Sequence, residues 1–318
     1  MAAIKNRHDL SSRTFVSLAL ITTFLTLGLI VFGAVVRVTD SGLGCGSSWP
    51  LCDGTIIPPL DNLTAWIEWM HRLFAALIGV FGIITLIVAW RAYRQNNPTV
   101  LWLTVAGAVL FAVQSILGAI VVIFELPPTF VTLHLGTAML LLASLLAAAV
   151  VAWYRPRRQP TGDYVRQLAY LNATFALVII LTGALVRGAG ATLACTEWPL
   201  CFENVLWPAT SGQLAMIHML HRFAVAALGV SLLILIWQVL ANRQDSLVRS
   251  LAMGAFVAYL LQAGIGALYV LSAAGPEWGA AHVGMAALTW ALLIILSVTE
   301  SLDSASTAHN QLEAQWQA

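Results

Sequence analysis

Phe32-Gly33-Ala34-Val35-Val36-Arg37 is repeated further along the chain as Thr182-Gly183-Ala184-Leu185-Val186-Arg187. Nearly the same interval carries Cys45 and Trp49-Pro50-Leu51-Cys52 onto Cys195 and Trp198-Pro199-Leu200-Cys201, and Met70-His71-Arg72 onto Leu220-His221-Arg222. The offset is 150 residues at the arginine, the first cysteine and the first histidine, and His134 returns as His282 at an offset of 148. Self-similarity at a fixed period marks an internal repeat. Whatever one half folds into, the other folds into as well.

Composition names the solvent of that fold. Hydrophobic residues make up 60% of the 318 and charged ones 9%, with a mean hydropathy of +0.86, whereas soluble domains carry about 25% charged residues. The chain is an all-α integral membrane protein. Apolar runs near 14–36, 64–90, 99–124, 129–153, 167–187, 214–240, 248–271 and 278–299 each match the ~20 residues that cross a bilayer core. This predicts eight transmembrane helices, arranged as two tandem four-helix bundles. The repeat then divides the chain into an N-terminal half over 14–154, a linker over 155–165, a C-terminal half over 166–300 and a polar tail over 301–318. An even number of spans per half makes the repeat parallel, related by an axis along the membrane normal. The net charge of +1 gives no basis for a nucleic-acid partner; the lipid bilayer is the partner that the composition requires.

Basic residues concentrate in cytoplasmic loops. If the spans alternate, Lys5, Arg7, Arg13, Arg91, Arg94, Arg155, Arg157, Arg158, Arg166, Arg243 and Arg249 fall on one side, and only Arg37 and Arg187 on the other. Both termini are therefore expected in the cytoplasm. The first apolar run is too long for a signal-peptide core and is read as a retained helix. All four cysteines lie in the two long outer loops, where disulfides persist. Four cysteines allow three connectivities, and pairing within each loop, Cys45 with Cys52 and Cys195 with Cys201, is the simplest. Such bridges are either staples on glycine-rich loops or redox-active pairs that exchange with a partner.

The histidines carry the chemistry. His71 stands about seven residues into the second span and His134 about five into the fourth, roughly 10 and 8 Å below the outer boundary at 1.5 Å per residue. Both helices run from outside to inside, so the imidazoles arrive at matching depth, and His221 and His282 repeat the arrangement. Axial ligation of a heme clamped between helices requires that geometry. Zinc prefers tetrahedral nitrogen and sulfur sets, and the cysteines are elsewhere. His8 and His309 lie in the polar ends and are read as incidental. His218, one turn from His221, is a second candidate for the second iron, but the repeat favours His221.

Glu68 breaks the symmetry. A carboxylate in a membrane helix is expensive and usually functional, and three residues before His71 it shares that helical face. The repeat puts His218 in its place. Glu68 either faces the first heme or snorkels to the outer surface. Arg72 and Arg222, beside the ligands, are candidates for heme propionates or for loop acids such as Asp61 and Glu203. Gln114 and Gln262 recur in the third and seventh spans, where hydrogen bonding between helices accounts for them; Gly118 and Gly266 recur there as packing residues.

Glu68-Trp69-Met70-His71-Arg72, the two cysteine loops, and His134, His221 and His282 within eight spans together resemble the heme A synthase family of cytochrome oxidase assembly enzymes, from about Phe15 to Ser297. The resemblance implies an oxidoreductase that turns the C8 methyl of heme O into the formyl group of heme A. It implies heme O as substrate on His71 and His134, heme b as resident cofactor on His221 and His282, and Glu68 as the catalytic residue nearest the reaction. A heme O synthase and cytochrome oxidase assembly proteins are the partners it suggests, in a plasma membrane with the cysteine loops outside. Two histidines on one iron leave no open position, which favours electron withdrawal followed by water addition at the methyl carbon.

Two readings of other classes share parts of this pattern. A carrier with two hemes b, relaying electrons without making a bond, uses the same four histidines and has no need of Glu68. A membrane thiol oxidant uses the outer cysteines and leaves the histidines idle.

Overall fold

Proline and side-chain caps set the helix starts in this computed structural model, which describes residues 2–157, 164–202, 205–208 and 211–317, with side chains from 12 to 307 within those ranges. Helix α1 covers Ala2–Val38, α2 Leu63–Tyr93, α3 Pro98–Ile123, α4 Pro128–Trp153, α5 Val165–Gly188, α6 Gln213–Asn242, α7 Ser246–Leu271 and α8 Pro276–Gln317. Pro98, Pro128 and Pro276 begin their helices, where a missing N–H leaves nothing unsatisfied. Asn62 caps α2 by accepting from the Ala65 N–H at 3.1 Å, and Asp245 caps α7 by accepting from Leu247 N–H at 2.7 Å. All eight helices are long and apolar enough to cross a membrane. Among the described residues there is no strand, only an isolated bridge between Cys52 and Thr55.

Each half closes on itself: α1 packs on α2, α2 on α3, α3 on α4 and α4 back on α1, and α5 to α8 repeat the ring. The halves meet where α1 touches α8, α4 touches α5, and α4 touches α8. That set of contacts is compatible with a parallel repeat about an axis along the membrane normal. The core along the seam contains Met139, Leu142, Leu232, Leu235, Leu293 and Trp290. Trp290 donates its indole N–H to the Ala173 carbonyl at 2.7 Å, which ties α8 to α5 with no polar group left over. Phe24, Trp102, Val230 and Trp237 are exposed on the outer faces, as a lipid-facing surface allows.

At the end opposite the cysteine loops, helix α8 runs on to Gln317, through the segment from 301 that was expected as a polar tail. Its acids do not stop the helix because they are paired. Glu300 accepts from Arg243 Nε at 2.9 Å and from Nη2 at 2.7 Å, with the two side chains 0% and 2% exposed. Asp303 accepts from the Tyr154 hydroxyl at 3.1 Å and from the Arg157 N–H at 2.6 Å. Burial first, and then the Asp303 carboxylate, raise the Tyr154 pKa, so the phenol remains the donor. Arg157 also pairs with Asp245. The start of the linker is thereby fastened to α7 and α8; linker residues 158–163 lie outside the described residues.

Candidate functional site

The four histidines line one cavity of about 1120 Å³ that reaches across both halves, larger than the roughly 300–1,000 Å³ of ordinary small-molecule pockets. His71 on α2 and His134 on α4 interact electrostatically with each other, as do His221 on α6 and His282 on α8. Each ring rests against a glycine of the preceding helix. A Cβ on Gly33 would stand 3.2 Å from His71 Cε1, on Gly118 3.2 Å from His134 Cε1, on Gly183 3.1 Å from His221 Cε1, and on Gly266 2.7 Å from His282 Cε1. Any larger residue there would press on the ring, so the glycines are seats for imidazoles as well as packing residues.

The glutamines do more than join helices. Gln114 Nε2 lies 3.0 Å from His134 Nε2, and Gln262 Nε2 lies 3.2 Å from His282 Nε2. An amide N–H donates, so each ring nitrogen accepts through its lone pair. The Gln262 carbonyl accepts from His282 Nδ1 at 3.2 Å, which puts the proton on Nδ1 and leaves Nε2 basic. That is the tautomer an axial ligand needs. Among the described residues no three of His, Cys, Asp and Glu converge as a metal set. Paired imidazoles on glycine seats in a large apolar cavity fit a heme and do not fit tetrahedral zinc.

The cysteine-loop end of the cavity is roofed by Trp49, Pro50, Leu51 and Ile56 from the first loop and by Trp198, Pro199 and Leu200 from the second. Cys45 is bonded to Cys52 and Cys195 to Cys201. Arg72 and Arg222 hold these roofs down. Arg72 Nη1 donates to the carbonyls of Ser48 at 3.1 Å, Pro50 at 3.2 Å and Leu51 at 3.0 Å. Arg222 Nη1 donates to those of Glu197 at 2.8 Å, Pro199 at 3.1 Å and Leu200 at 2.8 Å, and its Nη2 to that of Cys195 at 3.1 Å. Their partners are chiefly loop carbonyls, and Asp61 is not among them; Glu203 lies outside the described residues. The acid that Arg72 meets is Glu68, one helical turn back.

Glu68 is 3% exposed and lines the cavity with His71. Its Oε2 accepts from the Cys45 N–H at 2.9 Å while Oε1 pairs with Arg72, so both oxygens are held and the carboxylate does not snorkel. His218 takes the equivalent place, with Nε2 3.3 Å from Arg222 Nη2. It too lines the cavity.

Sequence reasoning passed over two further features. Arg37 and Arg187 also line the cavity; Arg187 Nη2 meets Asp40 at 3.4 Å, and among the described residues its Nε is buried with no partner. Their recurrence at offset 150 was the available signal. The second is a difference between the halves at positions 32 and 182, beside the histidines.

The whole of this arrangement falls within residues 16–294, which match the profile of the cytochrome oxidase assembly protein family. The chain belongs to that family. A heme A synthase of Exiguobacterium sp. (strain ATCC BAA-1283 / AT1b) is 31% identical over 258 residues, 80% of this chain and 83% of that protein. The heme A synthase of Halalkalibacterium halodurans is 36% identical over 231 residues, 70% of this chain and 76% of its own length. That of Geobacillus thermodenitrificans is 34% identical over 231 residues, covering 70% and 68%.

Proposed function

We propose that this chain converts heme O to heme A in the membrane. The observation that carries the reading is the asymmetric pair of sites: two histidine pairs on one cavity, with, among the described residues, a buried carboxylate beside only the first. His71 and His134 hold the substrate heme O in the N-terminal half. His221 and His282 hold heme b, which when bound supplies a one-electron relay out of the cavity. With water as the oxygen source, the methyl group and one water give the formyl group, four protons and four electrons; a membrane electron acceptor takes the electrons.

Glu68 is the catalytic residue in this reading. Because Arg72 and the Cys45 N–H occupy both oxygens, the carboxylate serves as a fixed negative charge rather than a mobile base. A preorganised charge in a dry site stabilises positive charge developing on the substrate. Arg37 and Arg187 take the propionates, since a guanidinium suits a carboxylate and the Nη atoms of Arg72 and Arg222 already donate to the roof. The cysteine loops face outward, both termini face the cytoplasm, and a heme O synthase delivers the substrate.

The deciding experiment is chromatographic identification of hemes extracted from protein purified from cells with and without a heme O supply. Heme b alone without the supply, and heme b with heme O and heme A with it, is the expected result. Two hemes b per chain, unchanged by heme O, would make the protein an electron carrier.

A further inference from the structure

His71 and His221 sit in the same seat and meet different walls. Their glycines, Gly33 and Gly183, approach Cε1 to 3.2 and 3.1 Å on the Cβ measure, so the two helix pairs frame the rings alike. The residue before each glycine differs: Phe32 in the first half and Thr182 in the second. The Thr182 hydroxyl donates to the Ile179 carbonyl at 2.9 Å. Its proton is thereby committed, and its oxygen accepts from His221 Nδ1 at 3.4 Å. Phe32 offers a phenyl ring instead, 6.0 Å from the His71 ring between centroids. Among the described residues His71 Nδ1 is buried with no hydrogen-bond partner.

We infer that this one-residue difference sets how firmly each half keeps its heme, making Thr182 a positioning residue for a permanent ligand and Phe32 the wall of a releasable one. The inference rests on the proposed function, which gives one half a substrate and the other a resident cofactor. An imidazole whose Nδ1–H has an acceptor is held in one tautomer and orientation and is a stronger base toward iron. Ligation through Nε2 without that acceptor keeps a buried N–H unpaired, which weakens the bond to the metal by the value of the missing hydrogen bond. Turnover needs that inequality: the product must leave after each cycle, and the relay must stay through many.

The test uses the full chain in detergent, loaded with both hemes and mixed with excess apomyoglobin as heme acceptor. The hemes remaining on the protein are identified by chromatography, so that heme type reports the half it came from. Wild-type protein should lose heme O or heme A faster than heme b. Phe32→Thr should slow the loss of the substrate heme roughly fivefold, the factor of one net hydrogen bond, and Phe32→Leu should not slow it. Thr182→Val should speed the loss of heme b by a similar factor and raise its midpoint potential, and Thr182→Ser should restore both. Equal loss rates in the wild type, or rates and potential unmoved by Phe32→Thr and Thr182→Val, would overturn the inference. A chain that takes up no heme O refutes the functional reading instead, and Thr182→Val against Thr182→Ser still decides the inference through heme b.

Discussion

At the scale of single residues, Glu68 shows how far a side chain's partners define its role. The sequence placed it beside His71, and its depth left open whether it faced the cavity or the lipid surface. The structure gives it two donors, Arg72 and the Cys45 N–H, and a wall of the cavity. Glu68→Gln keeps the shape and removes the charge, so the protein should still bind both hemes while turnover to heme A falls by about 10²-fold or more, the usual effect of deleting one preorganised electrostatic group. Full turnover with both hemes in place would remove Glu68 from the reaction. The glycine seats make a second prediction. Gly266→Ala puts a methyl group 2.7 Å from His282 Cε1, and such overpacking costs about 1–3 kcal/mol. Heme b content per chain should drop and the low-spin absorption of the remainder should shift, whereas Gly264→Ala, which meets nothing within 4 Å, should change neither. These seats were half visible in the sequence: the glycines recur, but only coordinates tell that they face rings and not backbone.

At the scale of elements, the eight helices were legible because a bilayer demands a run of apolar residues and the chain supplies eight. Their ends were less so. Helix α8 passes the end of its apolar run near 299, where Glu300 and Asp303 are buried and paired with groups distant in sequence, and hydropathy has no means to foresee a partner. This pairing is also a stability prediction. Glu300→Ala takes the carboxylate from a guanidinium that is 2% exposed, and breaking one side of a buried pair costs about 3–5 kcal/mol. Thermal unfolding in detergent should show a large drop in midpoint for Glu300→Ala. The double substitution Arg243→Met with Glu300→Leu should recover most of it, since an apolar pair of similar volume meets no uncompensated charge. A double mutant as unstable as the single one would mean that other contacts of the Arg243 side chain, such as its donation to the Asn242 carbonyl, dominate.

At the scale of the whole molecule, the repeat told which residues pair but not that both pairs would open into one cavity. That follows from α1, α4, α5 and α8 forming the seam, with Arg37 and Arg187 brought side by side across it. Local periodicity says nothing of which bundle faces meet, so the shared space had no trace in the sequence. The cysteine pairs, in contrast, were anticipated, because each pair is close in sequence; that their loops roof the cavity and that Arg72 and Arg222 hold them was not. Orientation across the membrane connects these scales. The arginines Arg91, Arg94, Arg155, Arg166, Arg243 and Arg249 lie at or beyond the helix ends opposite the cysteine loops, and charge of that sign is retained in the cytoplasm. The cysteines should therefore react with a membrane-impermeant maleimide in intact cells after reduction by an impermeant phosphine, and should be protected in inverted vesicles until detergent is added. Labelling of inverted vesicles before detergent would reverse the topology. It would place both roofs, and the route by which a heme reaches the cavity beneath them, on the cytoplasmic side.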